Sequence, residues 1–215
     1  MDLDRMRIAY RRGTLEAETL GADPLAALTR WITDAADEGM IEPNAMALAT
    51  VSEDGLPSVR FVLCKGVDAD GIVFYTHSGS RKGEEIAATG RAAATFWWDR
   101  MERQVRLEGP TGPVPAAVSD AYFASRPHGS QVGAWASPQS RELPDRAELE
   151  RRFADAAARH PVGSEVPRPP FWGGYRLRPL RIEFWQGRES RTHDRIVFTR
   201  ENVEATTWTT ARLAP

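Results

Sequence analysis

Arg191, His193 and Arg195 alternate strictly inside a run that opens Glu183-Phe184-Trp185 and carries a further arginine, Arg188. In an extended chain, side chains at i, i+2 and i+4 face the same side. A strand here would line one surface with two guanidinium groups and an imidazole, beside Trp185, an aromatic that can cover a flat ring. Such a surface suits a planar, phosphorylated ligand. Alternating charge is equally the ordinary mark of a solvated strand face, and this run alone does not separate the two.

Three other clusters bear on that choice. Ser78-Gly79-Ser80-Arg81-Lys82 lies between an apolar run and a helical pattern. A helix N-terminus offers free N–H groups and partial positive charge, which favour phosphate; positive side chains placed there for solvation alone would oppose the helix dipole. Tyr122 and Arg126 are four apart, on one face of a predicted helix, with Ser130 following and Lys65 available from another segment. A phenol, a guanidinium and a hydroxyl suit phosphate oxygens, although Arg126 could equally be an ordinary cation at a helix C-terminus. Arg60 and Gln104 fall within predicted strands and need polar partners if buried; the edge of a flavin ring would supply them, as would exposure on the outer face.

Other chemistries find little support. His193 has no His, Cys or carboxylate partner at metal-ligand spacing. No glycine-flanked serine elbow, dinucleotide fingerprint or P-loop is present. With one cysteine, Cys64, the chain can form neither an intrachain disulfide nor a cysteine-rich metal site. A net charge of -2 gives no global case for nucleic acid or anionic membrane, so anion binding must be local. The chain has no run apolar enough to span a bilayer and no signal-like start, which predicts a cytoplasmic protein.

At 215 residues and 41% hydrophobic content, the chain can bury a substantial core. Residues 1–20 are polar and arginine-rich and read as an arm. Asp23-Pro24 is an N-cap followed by proline, and Leu25, Leu28, Trp31 and Ile32 recur at helical spacing, predicting a helix over 24–38. Strands are predicted at 46–52, 58–65, 72–76, 92–98 and 104–109, interrupted by a helix that Ser80 caps and Gly90 stops. A helix over 116–125, a loop over 128–143, a helix over 144–159 and a proline-rich connector over 161–170 follow. Strands are then predicted at 174–187, 192–200 and 208–213. Many strands with few helices between them predict a mainly β chain with flanking helices, an antiparallel barrel rather than alternating βαβ units.

Taken together, the chain resembles the pyridoxamine 5′-phosphate oxidase family from Met6 to Pro215. The motifs are Arg60-Phe-Val-Leu-Cys-Lys65, Phe74-Tyr-Thr, Ser80-Arg-Lys-Gly83, Arg103-Gln-Val-Arg106, Tyr122-Phe-Ala-Ser-Arg-Pro127, the stretch Ser130 to Ser140, Trp172-Gly-Gly-Tyr-Arg176, and the run from Glu183 to Arg195. Cys64 and Thr192 depart from a common leucine, and Ile8-Ala9 from a more charged pair.

The resemblance implies one FMN-binding split β-barrel domain over 1–215. It would act as a homodimer with FMN at the subunit interface, and 172–215 would complete the site. It implies FMN contacts from Arg60, Lys65, Tyr75, Thr76, Arg81, Lys82 and Gln104, with Arg81 and Lys82 on the phosphate. Gln139, Ser140, Trp185 and Arg195 would reach the same FMN, from the partner subunit. Lys65, Tyr122, Arg126 and Ser130 would hold the substrate phosphate. Arg191 and His193 would sit over the substrate ring, and Arg7 and Tyr10 would close over it; Arg188 is left unassigned, at the surface. The implied reaction oxidises pyridoxamine or pyridoxine 5′-phosphate to pyridoxal 5′-phosphate. A hydride passes to the flavin, O2 is reduced to H2O2, and the amine yields ammonia. The alternatives are a flavin oxidase of the same fold acting on another, phenazine-type ring, and a non-catalytic FMN or pyridoxal-phosphate binder.

Overall fold

The computed structural model describes residues 2–6 and 8–215; Arg7, expected in the lid, lies outside them. Two helices open the chain, α1 (Ala17–Leu20) and α2 (Pro24–Asp37). The Asp23 carboxylate accepts from the Leu25 and Ala26 N–H groups, a cap that contributes about 1 kcal/mol. Leu25, Leu28 and Trp31 form the buried stripe of α2, and the Trp31 ring meets Phe184 edge-on at 5.0 Å.

Strands β1 (Ala45–Val51), β2 (Pro57–Leu63), β3 (Gly66–Asp68) and β4 (Gly71–His77) lead to α3 (Arg81–Thr89), then β5 (Arg91–Trp98) and β6 (Arg103–Pro113). Helices α4 (Ala116–Ala124), α5 (His128–Ala136) and α6 (Arg146–Arg159) follow. The chain closes with β7 (Trp172–Leu177), β8 (Arg181–Gln186), β9 (Asp194–Thr199) and β10 (Thr209–Arg212). Every strand pairing is antiparallel. The main path runs β10-β9-β8-β6-β5-β1-β2, and β7 joins β6 to β4 and β3. The long β6 makes this curl possible. Its first part pairs with β8, and Thr111–Pro113 pair with β7. Gly109 stands at the changeover, where a Cβ would lie 2.2 Å from the Arg178 carbonyl oxygen. The result is a split β-barrel with flanking helices, as predicted. Its core is filled by the inward-facing residues of β1, β5, β6 and β8, among them Leu48, Phe96, Leu107 and Phe184.

Three expectations are corrected. The predicted strand 174–187 is two strands, β7 and β8, broken at Arg178-Pro179-Leu180, where proline cannot donate to a ladder. Of the predicted loop 128–143, residues 128–136 are the helix α5. Its glycines and serine are poor helix formers, but Val132 and Ala136 pack on Ala156 of α6 and hold it. The predicted arm is anchored on the barrel: Tyr10 packs on Trp185 and His193, and Leu15 and Leu20 are buried in the main core. Arg191 lies outside the strand, as the predicted bounds 192–200 leave it, so the condition under which Arg191, His193 and Arg195 would share one strand face is not met. Glu189–Arg191 form a 3-10 turn in which Ser190 (φ 55°) and Arg191 (φ 61°) are both left-handed, and β9 begins at Asp194.

Candidate active site

A cavity of about 820 Å³ opens between β2, the end of β4, the start of α3 and the α4–α5 corner. Arg60, Lys65, Tyr75, Thr76, Arg81, Lys82, Tyr122, Arg126, Ser130, Gln139 and Ser140 all line it, as does Trp172. Eleven residues identified from sequence are thus brought together by one chain. The helix arrangement differs in detail from the expected one. α4 ends at Ala124, so Arg126 lies just beyond it, and Ser130 sits in the first turn of α5. The α4–α5 corner is fixed by Gln131, whose amide donates to the Phe123 carbonyl at 2.9 Å. Gln139 and Ser140, expected from a second subunit, already line this cavity in the same chain, Ser140 with a left-handed φ of 69°.

The charges in this cavity are unusual. Lys82 is 8% exposed, and its Nζ donates only to neutral oxygens: Thr76 Oγ1 at 3.0 Å, Ser80 Oγ at 3.2 Å and Gln139 Oε1 at 2.8 Å. Burial, with the nearby charge of Arg60, lowers its pKa from 10.5 to about 8. Among the described residues this buried ammonium has no counterion, which is costly and invites an anion. At the other end, the Arg126 guanidinium lies over the Trp172 ring at 4.6 Å, and its buried Nη1 has no hydrogen-bond partner among the described residues. Burial lowers its pKa too. Tyr75, Tyr122 and Trp172 stack beside it, the two tyrosines 3.9 Å apart. Cys64, next to Lys65, is inert packing, its thiol pushed by burial to about 11.

A second cavity, about 440 Å³, is lined by Tyr10, Trp185, Arg188, Ser190, Arg191 and His193, with Met6, Ile8, Ala9 and Glu189. Tyr10 meets Trp185 at 5.8 Å and His193 at 5.7 Å, both edge-on. The tyrosine fits because residue 187 is glycine, where a Cβ would lie 2.8 Å from Tyr10 Cγ. Arg188, left unassigned from sequence, helps build this wall. Its N–H donates to His193 Nδ1 at 3.1 Å, so the neutral imidazole carries its proton on Nε2. Burial and the charge of Arg191 lower the His193 pKa, which favours that neutral form. Asp194 fixes the turn from below, accepting from Leu15 N at 3.0 Å, Arg188 at 3.1 Å and Arg212 at 2.7 Å. Consecutive left-handed non-glycine residues cost on the order of 1–3 kcal/mol each and persist where surrounding structure imposes them.

Gln104 and Arg195 line neither cavity. Gln104 faces Trp97 and Trp185 across its neighbouring strands. Arg195 pairs with the buried Glu183 at 2.9 Å and donates to the Ala214 carbonyl at 2.9 Å. Apart from Gln104 and Arg195, and Arg7 outside the described residues, the expected site residues fall into two groups on one chain. Both can bind anions and cover flat rings.

Comparison with known proteins identifies the family. The pyridoxamine 5′-phosphate oxidase family model matches residues 32–160, and the pyridoxine 5′-phosphate oxidase C-terminal dimerisation region matches residues 172–215. The pyridoxine/pyridoxamine 5′-phosphate oxidase of Rubrobacter xylanophilus is 52% identical over 214 residues, covering 100% of this chain and 97% of that protein. The protein of the same name from Burkholderia vietnamiensis is 50% identical, covering 98% of this chain and 97% of its own. Among solved structures, PhzG from Burkholderia lata, in complex with tetrahydrophenazine-1-carboxylic acid, is 34% identical with a TM-score of 0.85, covering 94% of this chain and 98% of that one. A pyridoxamine 5′-phosphate oxidase-related, FMN binding protein from Nostoc punctiforme shares the fold at 17% identity, with a TM-score of 0.68 and coverage of 86% and 95%. With its first cavity and its C-terminal strands both falling within matched segments, this chain belongs to the pyridoxamine 5′-phosphate oxidase family.

Proposed function

We propose that this protein is an FMN-dependent oxidase. It would convert pyridoxamine 5′-phosphate or pyridoxine 5′-phosphate to pyridoxal 5′-phosphate, with O2 as acceptor and H2O2 as product. The observation that carries this proposal is the pair of uncompensated cations, Lys82 and Arg126, at separate places in one cavity. A cofactor and a substrate that each bring one phosphate would satisfy both. When bound, the flavin supplies the hydride acceptor and the reaction with O2. The chain supplies binding and orientation. Lys82, Arg81, Arg60, Thr76 and Gln139 hold the cofactor, and Lys65, Tyr122, Arg126 and Ser130 hold the substrate phosphate.

We further propose that residues 1–215 act as one domain and that two copies complete each site. β2 leaves Val59 68% and Phe61 78% exposed at the rim of the first cavity, and Trp97 is 47% exposed. Large exposed apolar groups beside a site mark an interface. A second copy there would bring Trp185, Arg191, His193 and Arg195 to the flavin, with Gln104 at the contact. Arg191 and His193 would then face the substrate ring, and Tyr10 would close over it.

The direct test is to purify the protein, look for bound flavin by absorbance, add either phosphorylated substrate and follow peroxide. Bound FMN without turnover of either substrate would sink the proposed reaction. The likeness to PhzG favours one second reading, oxidation of a carboxylated ring in place of a phosphorylated one, and a tetrahydrophenazine carboxylate is the matching arm of that assay. Arg126→Ala is expected to raise the KM for pyridoxine 5′-phosphate by roughly 100-fold with kcat less affected, because Arg126 would hold a non-reacting group. An unchanged KM in steady-state assays would remove Arg126 from the site.

Lys82 also predicts a pH signature. Without ligand its folded pKa is about 8, below the unfolded 10.5, so the unfolded chain binds more protons between these values and ligand-free stability should rise across pH 8–10.5. Phosphate needs the ammonium form, and a phosphomonoester is dianionic above about pH 6. FMN affinity is therefore expected to be greatest between about 6 and 8 and to fall above 8, by up to roughly tenfold per pH unit. Flavin fluorescence titrations and thermal melts over one pH series would show these opposite trends.

A further inference from the structure

Behind the first cavity lies a carboxylate that does not line it. Glu85 of α3 is 6% exposed, and four groups converge on it. Ser58 Oγ donates at 2.6 Å, Arg81 Nε donates at 2.8 Å, Arg60 Nη2 approaches at 3.5 Å, and Thr50 Oγ1 donates a short bond. Thr50 and Ser58 serve Arg60 as well. Arg60 Nη1 donates to Thr50 Oγ1 at 2.6 Å and to the Leu48 carbonyl at 3.1 Å, and Nη2 donates to Ser58 Oγ. Each hydroxyl gives its proton to Glu85 and offers its lone pairs to Arg60. One carboxylate thus sets the direction of two arginines that do line the cavity.

We infer that Glu85 is a positioning residue, holding Arg60 and Arg81 where they meet the anionic end of the cofactor. This inference rests on the cofactor assignment proposed above. Three features support it beyond the contacts. Counting Arg60, Arg81 and Lys82 against Glu85 leaves a net charge of about two positives, the complement of a phosphate dianion. The carboxylate stays ionised, because the bonds from Ser58, Thr50 and Arg81 outweigh burial and bring its pKa down to about 2. Glu85 also reaches across elements, from α3 to β1 and β2, so it ties the cavity wall to the helix that carries Lys82.

A passive counter-charge and a positioning group predict opposite signs. Removing a passive negative charge would tighten binding of an anion. Removing a positioning group loosens it, although the site becomes more positive. Glu85→Gln is therefore expected to raise the Kd for FMN by about tenfold or more, and to change the Kd for riboflavin, which lacks the phosphate, by less than about twofold. Both are read by flavin fluorescence quenching on stripped protein. Ser58→Ala, which removes one of the two hydroxyls linking Glu85 to Arg60, is expected to move FMN affinity the same way, by about threefold. An FMN Kd unchanged or lowered in Glu85→Gln overturns the inference, as does an equal loss of FMN and riboflavin. If Glu85→Gln fails to fold, an unchanged FMN Kd in Ser58→Ala overturns it. A wild-type chain that binds neither flavin removes the cofactor assignment itself, and the inference with it.

Discussion

Arg191→Ala is expected to lower kcat by about 10²–10³-fold while FMN stays bound with its Kd within about twofold of the wild type. Arg191 projects from a strained left-handed turn that lines the second cavity, and it makes no ion pair among the described residues. Its neighbours are already committed. Glu189 pairs with Arg11, Arg188 with Asp194, and His193 accepts from the Arg188 backbone. A guanidinium held at fixed cost in a preorganised position stabilises charge that develops only during reaction, so its loss appears in kcat more than in binding. Rapid-reaction reduction of the bound flavin by pyridoxine 5′-phosphate measures this step directly. Loss of flavin on purification would instead assign Arg191 to the cofactor, and an unchanged reduction rate would place it outside the reaction.

Lys82→Met has the largest expected effect on the cofactor, a rise in the FMN Kd of about 10²–10³-fold. The same change removes a buried charge that has no counterion without ligand, so the ligand-free melting temperature is expected to hold or rise. That pairing of weaker binding with undiminished stability separates a ligand-binding lysine from a structural one. A fall in both would make Lys82 a structural group that happens to border the cavity. Methionine keeps the length of the side chain, so a void does not explain the result.

The first cavity was legible in the sequence for a specific reason. Its residues cluster at the ends of elements whose patterns are plain. Ser80 caps α3 through the Gly83 N–H and Gly90 closes it in a left-handed conformation, as the sequence signals predict, and this places Arg81 and Lys82. Tyr122, Arg126 and Ser130 are close in the chain, so small errors in helix ends did not scatter them. Glu85 was not legible. Its partners lie 27 and 35 residues away on β2 and β1, and a glutamate in an amphipathic helix looks solvated by local pattern. Glu183 is similar, a buried acid in β8 that pairs with Arg106 and Arg195 across the sheet.

The sequence by itself determined the antiparallel barrel, the capped helices and the presence of two phosphate-grade cation clusters, whereas Tyr75, Thr76, Gln139 and Ser140 were expected at a site only through the family resemblance. The first three follow from side-chain period, cap chemistry and residue type, all of which are local. Only the tertiary structure decided how Arg191, His193 and Arg195 are presented. Their alternation described polarity, whereas their directions depend on backbone angles imposed from outside the run, by Tyr10 packed on Gly187 and by the three donors gathered on Asp194. Arg191 and His193 turn into the second cavity, while Arg195 stays in the sheet on Glu183. It also decided which cations are paired and which are not, because a missing counterion is a property of what folds around a charge.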